Sequence, residues 1–190
     1  MPAEIDAILE DAFERYDEER PNLPAEPNLG GRLMVRLAAL TASFYEALVA
    51  HGHAPSEARR LTAQVTGHVY RRMTAAPTVA ARLVRRGPAG RVALGLDLMR
   101  VFPFGPPAYD MRDVAEPGTV GVDVRRCPTA DYFRSRDLGE LCVESWCNLD
   151  FELARSWGAE LHRSTTLAGG GERCDFRFRV DGATRDAHGM

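Results

Sequence analysis

The chain has 190 residues, 45% of them hydrophobic and 27% charged, with a formal net charge of −3. That length supports one domain that buries roughly 70% of the surface its unfolded chain exposes, so neither a disulfide nor a metal is needed for folding. The slightly acidic balance gives no reason to expect nucleic acid as a partner. No N-terminal stretch joins a basic start to an apolar run, and the uninterrupted apolar runs fall short of the ~20 residues that span a bilayer, so no membrane contact is expected and the protein reads as cytoplasmic. Thiols stay reduced there.

Ile5, Ile8, Leu9, Ala12, Phe13 and Tyr16 recur at steps of three and four and predict a first helix, which the Pro21 to Pro27 segment ends. Leu33, Leu37, Leu40, Phe44, Leu48 and Val49 predict a second helix that stops at Gly52. Pro55-Ser56 opens a third through Leu61, Val65, Val69 and Met73, closed by Pro77, and a fourth helical stretch covers Val79 to Met99 with Gly87-Pro88 interrupting it. After Pro103 to Pro107 the period becomes two. Tyr109 to Ala115 and Thr119 to Arg125 read as strands around Glu116-Pro117-Gly118, Pro128 to Arg136 as a short helix, and Leu138 to Trp157 as a longer one. Glu160 to Leu167 and Arg173 to Val180 then flank a glycine turn as a second hairpin. The prediction is an α+β fold in a single domain, 1–190: a helical part, 1–104, then a ββααββ part, 105–181, whose antiparallel sheet packs on helices. A frayed tail, 182–190, completes it. Whether the first helix packs on its own domain or on a partner subunit stays open, so a homo-oligomer remains among the arrangements considered.

All four cysteines fall in the last third, at Cys127, Cys142, Cys147 and Cys174, with Asp150 among them. Such a cluster calls for a metal site, a nucleophilic thiol, a disulfide framework or apolar packing. At about 100° per residue, Cys142 shares an apolar helix stripe with Trp146, Leu149, Leu153 and Trp157, which predicts core packing. Cys147 falls on another face with Glu140, Glu144 and Phe151, within reach of Glu144 and Asp150 one turn away. Cys127 precedes Pro128 at a helix start, where free backbone N–H groups would lower a thiol pKa. Cys174 alternates with Phe176 and Phe178 on the final strand. A hairpin beside the long helix would bring Cys127, Cys147, Cys174 and Asp150 together.

Other motifs are weaker. The arginine pairs Arg59-Arg60, Arg71-Arg72 and Arg85-Arg86 suit solvated helix faces better than a basic strip. Gly169-Gly170-Gly171 lacks the following helix of a phosphate loop and reads as a turn. Gly30-Gly31 suits either an anion approaching a helix N-terminus or an ordinary turn into a helix. His51 and His53 sit at a helix end, His68 on a helix face and His188 in the tail, while His162 alternates along a strand near the cysteines.

Five segments in order now carry a likeness: Arg126-Cys127-Pro128-Thr129-Ala130-Asp131-Tyr132-Phe133, Leu141-Cys142, Cys147-Asn148-Leu149-Asp150, Arg163-Ser164-Thr165-Thr166-Leu167, and Gly171-Glu172-Arg173-Cys174-Asp175-Phe176-Arg177-Phe178. Over about residues 110 to 180 the chain resembles the L-2-amino-thiazoline-4-carboxylic acid hydrolase family, and the helical half resembles it only in kind. The resemblance implies a small-molecule substrate, opening of a cyclic amidine without an organic cofactor, and a distant likeness to vinyl-reductase-like and vesicle-tethering (TRAPP) domains.

In such a reaction a thiolate attacks the amidine carbon, an adjacent acid protonates the departing ring atom and water releases the product. Cys127 and Cys174 are the candidate nucleophiles, Cys147 the third, and Asp150 or Glu144 the acid/base. Arg163 or Arg177 could hold a substrate carboxylate in a bidentate fork, with His162 nearby. Zinc on three thiolates and a carboxylate is the competing arrangement, although paired Cys-x-x-Cys spacing is missing. A second function class is a non-catalytic module that binds a small apolar ligand against Phe102, Phe104, Tyr109, Tyr132 and Phe133, or a thiol or zinc sensor. A third is an enzyme on the same scaffold with a different, biosynthetic substrate.

Overall fold

The chain opens with an amphipathic helix, α1 (Pro2–Glu19). In the computed structural model, which describes residues 2–83 and 87–180 and no side chains at 2, 73–78 or 80–83, its Ile8 and Ala12 are buried against Ala47, Leu48 and Ala58. Its last residue, Glu19, accepts a hydrogen bond from the Tyr132 hydroxyl at 2.8 Å and pairs with Arg136, which also reaches Glu46 at 2.8 Å. The first helix therefore packs on its own chain.

Helix α2 (Leu29–Ala50) runs through the centre, with Ala38, Ala39 and Ala42 fully buried so that its neighbours approach closely. Its 22 residues reach a mean hydropathy of 1.5 over an 18-residue window, enough by length and composition to cross a membrane. The reading by uninterrupted runs passed over this because Arg32, Arg36 and Glu46 break the run without removing the average. Half of that window is buried inside the fold, as in a core helix.

Asn28 caps α2 by accepting the Gly31 N–H at 2.7 Å, and its amide donates to the Gly105 carbonyl at 2.9 Å. The two glycines exist for the same loop: a Cβ on Gly30 would stand 2.1 Å from the Pro103 carbonyl oxygen, and one on Gly31 would stand 2.7 Å from the Ala108 Cβ. Of the two roles open to Gly30-Gly31, the contacts are those of loop packing.

Helix α3 (Pro55–Leu83) continues through Pro77, and α4 (Pro88–Val101) begins behind Gly87 with Pro88 at its first turn. Pro77 therefore does not close α3, and α4 begins at the Gly87-Pro88 interruption read from the sequence. An interior proline costs about 3 kcal/mol, and the alanines at 75, 76, 80 and 81 offset this through the highest helix propensity of any residue. Arg59 of α3 is engaged by Glu144 at 3.1 Å and Arg71 by Glu152 at 3.3 Å, while the Arg85-Arg86 pair lies outside the described residues, as does the 182–190 tail.

The second half is α+β, with a four-stranded antiparallel sheet in the order β1-β2-β4-β3. Strands β1 (Asp110–Glu116) and β2 (Thr119–Arg126) form a hairpin whose turn holds Gly118 at φ 72°, a region glycine enters without strain. Helix α5 (Pro128–Arg134), helix α6 (Gly139–Cys142), a π-helical turn (Val143–Cys147) and helix α7 (Leu149–Trp157) follow. Strand β3 covers only Glu160–His162, because Asp175 of β4 (Cys174–Arg179) grips the next residues, accepting from the Ser164 and Thr165 N–H groups at 2.9 and 2.8 Å. The expected strand to Leu167 is therefore a pinned loop.

On the inner face of the sheet Val120, Val122 and Val124 pair with Phe178, Phe176 and Cys174. That face packs on α2, α4, α5 and α7 around Val92, Phe133, Leu141 and Trp157, each at most 3% exposed. Full burial of each such side chain stabilises by roughly 1.5–3 kcal/mol.

Because only a hydrogen fits between α2 and the Pro103 carbonyl, Gly30→Ala is expected to cost at least about 1–3 kcal/mol through overpacking. Urea denaturation checks this, and a midpoint equal to the parent's would refute it.

Candidate active site

The inner ends of β2 and β4, the π-helical turn and the start of α5 enclose a cavity of about 120 Å³, and all four cysteines and Asp150 line it. Two side chains arrive by strand alternation. Cys174 shares the inner face with Phe176 and Phe178, and Cys127 follows the last residue of β2. The other three depend on the helix, where the Asn148 N–H bonds the Val143 carbonyl at 3.0 Å, an i to i+5 link. A π turn adds one residue to the helical turn, so positions five apart come into line. Cys142 and Cys147 consequently lie on one face, within hydrogen-bond reach of each other, where regular 100° spacing had separated them. Asp150 follows on the same side.

Asp150 is held by Arg163, whose Nη1 lies 3.3 Å from a carboxylate oxygen and donates to the Cys147 carbonyl at 2.7 Å. The Arg163 side chain is 5% exposed, and its guanidinium lies 4.9 Å from the centre of the Phe151 ring and 5.8 Å from that of Phe176. The fork that might have gripped a substrate is thus already occupied by the protein. Burial pushes the Asp150 carboxyl up to about 7, with Arg163 opposing. Its side chain keeps 31% of its surface, so protein surrounds it closely enough to raise the pKa while a small molecule can still reach it.

The thiols behave differently from the expectation for a helix start. Burial pushes Cys127 up to about 12, against the opposing Ala130 backbone N–H, and Cys174 up to about 12 against the Leu167 N–H. The Cys142 thiol is raised as well, by Cys147 first and burial second. Helix-terminus polarity is a few tenths of a charge, and desolvation in an apolar cavity outweighs it. The Cys174 sulfur also accepts the Leu167 N–H at 3.3 Å and feels Asp150 and Arg163.

Three proposed site residues are not brought to the cavity. Glu144 turns outward to Arg59 at 3.1 Å because the π turn rotates the face it shared with Cys147. His162 points away from the core, with Leu161 inside, and lies 3.2 Å from Glu160. Arg177 occupies the outer sheet face, 3.0 Å from Asp123 and 3.1 Å from Glu116. The aromatic set divides too. Phe104 and Tyr109 line the cavity, Phe102 lies outside it, and Tyr132 and Phe133 are core residues. All four cysteines are free, and no group of three His, Cys, Asp or Glu side chains among the described residues is arranged to hold a metal ion.

Sequence reasoning missed the residues that brace the site. Arg126 forms a double contact with the buried Glu26 at 2.9 and 3.0 Å and also binds the Pro107 and Ala108 carbonyls. Asp175 fixes the loop that carries Arg163 and Leu167. The available signal was a charged residue beside two cysteines of the likeness, Arg126 before Cys127 and Asp175 after Cys174.

Fold and cavity together define an α+β protein with a half-buried carboxyl set among free thiols. The sequence model of the L-2-amino-thiazoline-4-carboxylic acid hydrolase family matches residues 34–178, and the chain belongs to that family of hydrolases. The match takes in the helical half from Met34 onward, well beyond the segments that suggested it. No curated protein and no solved structure matches the chain significantly.

The raised Asp150 pKa has a definite sign in stability. The folded state keeps this proton up to about pH 7, whereas the unfolded chain releases it near 3.8. The contribution is complete below the unfolded value and is lost as pH rises through the folded one. Asp150→Asn removes that decline. Its Tm relative to the parent should therefore climb from about pH 4 to pH 7 and level off above, as followed by thermal circular dichroism; a constant difference across that window would mean an ordinary carboxyl.

Proposed function

We propose that the protein opens a cyclic amidine or related C–N/C–S substrate, with Cys174 as nucleophile and Asp150 as general acid and base. The carrying observation is the Asp150 carboxyl with a pKa of about 7 in the cavity that Cys174 also lines. A group titrating near working pH best combines the right protonation state with proton-transfer power. Cys174 is preferred over Cys127, although each sulfur receives a backbone N–H, from Leu167 and Ala130 respectively, because the charges of Asp150 and Arg163 act on the Cys174 thiol.

In the first step the Asp150 carboxylate takes the Cys174 thiol proton as the sulfur bonds to the amidine carbon. The ring C–S bond then breaks, its electron pair leaves on the ring sulfur, and Asp150 returns the proton there. A water, deprotonated by Asp150, next adds to the S-bound carbon, and the Cys174 sulfur departs with a proton. The net change is addition of one water. A thiol held at about 12 still yields its proton more readily than water, whose pKa is 15.7, which favours the covalent route over direct attack by water.

With L-2-amino-thiazoline-4-carboxylate as the trial substrate, Asp150→Asn and Cys174→Ser are each expected to lower kcat by about 10²–10⁴, with unchanged circular dichroism. Cys127→Ala is expected to keep most activity. Intact-mass spectrometry of a quenched reaction should show an S-amidino adduct on Cys174. Parent-like turnover by Cys174→Ser would remove the cysteine from the mechanism, and turnover by Asp150→Asn would remove the acid/base.

A further inference from the structure

A second and much larger cavity, a cleft of about 770 Å³ partly open to solvent, lies among α1, α2, α3 and α4. Its volume falls within the roughly 300–1,000 Å³ of small-molecule sites. The walls are mainly aliphatic and aromatic, with Glu4, His53 and Thr66 also lining it beside Thr41 and Thr62. Leu9 and Phe13 of α1 and Val65 and Val69 of α3 line it while remaining 41–55% exposed, an apolar concentration that soluble surfaces seldom carry without an occupant. The Thr41 and Thr62 hydroxyls on its walls donate to the Leu37 and Ala58 carbonyls of their own helices at 2.8 Å each, so neither needs a polar partner in the cleft.

The cleft adjoins the cysteine cavity, and Met34, Tyr70, Met99, Phe104, Trp146 and Trp157 line both. Of these shared residues, Trp146 has a buried Nε1 with no hydrogen-bond partner among the described residues. A buried indole N–H without an acceptor is costly and uncommon in native structures. Two independent features therefore meet here: a mainly apolar space, and an orphan donor on a residue that lines both cavities.

We infer that the cleft holds the alkyl or acyl tail of an amphiphilic substrate, whose polar head enters the cysteine cavity and accepts a hydrogen bond from Trp146 Nε1. This rests on the hydrolase reading of that cavity and names the substrate class for it. The cavity of about 120 Å³ suits only a small head, and the larger volume beside it accommodates what the head is attached to. The chain's own last ten residues, with Asp181, Thr184, Arg185 and Asp186, are too polar to fill the cleft. A second copy pressed against α1 and α3 would cover the exposed rim but leave the indole N–H without an acceptor.

The test uses the full chain and alkanoate probes of four, eight and twelve carbons below their micelle concentrations, with affinities read by calorimetry. Binding should tighten about fourfold for each added methylene, roughly 250-fold from octanoate to dodecanoate. Leu9→Glu and Val65→Glu, at positions exposed enough to leave the fold intact, should each weaken dodecanoate at least tenfold and leave butanoate unchanged. Trp146→Phe should weaken dodecanoate about fivefold through loss of one hydrogen bond. Affinity independent of chain length would overturn the proposal. So would a dimer, detected by sedimentation, that Leu9→Glu splits while dodecanoate binding stays the same. Chain-length-dependent binding that persists in Asp150→Asn, with no turnover of any cyclic amidine by the parent, would sink the hydrolase reading and leave the tail site standing. Equal KM for 2-amino-thiazoline-4-carboxylate and its dodecyl amide would do the reverse.

Discussion

A single backbone irregularity organises this protein's interior. The hydrogen bond from the Asn148 N–H to the Val143 carbonyl widens one turn of the helical run between Gly139 and Trp157. In a regular helix Cys142 and Cys147 would point about 140° apart. The wider turn aligns them, carries Asp150 to the same side and releases Glu144 to Arg59 on the surface. π turns are often found at functional sites because they re-aim side chains without ending the helix. Here the re-aimed residues are the ones that face the sheet.

The sheet and the pinned loop complete the enclosure. Asp175 is bonded to residues 164 and 165 on one side of β4, and Cys174, the residue before it, points to the opposite side. One strand thus fixes the loop and supplies a cavity wall. The loop returns Arg163 to Asp150 and the Leu167 N–H to Cys174. An acid and a thiol are thereby held in a largely apolar space that raises the pKa of both, the acid to near neutrality and the thiol well above it.

The electrostatic character follows from what surrounds the cavity more than from its members. Four thiols close together suggest soft, reactive chemistry, yet burial makes the Cys127 and Cys174 thiols weak acids and leaves Asp150 as the group that titrates near neutrality. The adjoining apolar cleft reinforces this by keeping the surroundings of Trp146 and Trp157 low in polar groups. The two cavities are therefore linked through shared walls.

Much of the architecture was legible in the sequence. Apolar steps of three and four marked α1 to α3, the turn at Pro117-Gly118 and the alternation on either side marked the first hairpin, and the phenylalanine alternation after Cys174 marked β4. These are local signals, since each depends on residues a few positions apart. Pro77 misled because a local breaker rule ignores the helix-forming alanines around it, and Glu144 misled because uniform helical spacing cannot register an added residue. The closing of Arg163 on Asp150, the outward turn of Arg177 and the rise of the thiol pKa values depend on partners brought together only by folding. Sequence by itself determined most of the elements and the set of candidate side chains. Tertiary structure decided which of them share a cavity and which can ionise there, because desolvation and long-range pairing are properties of the packed whole.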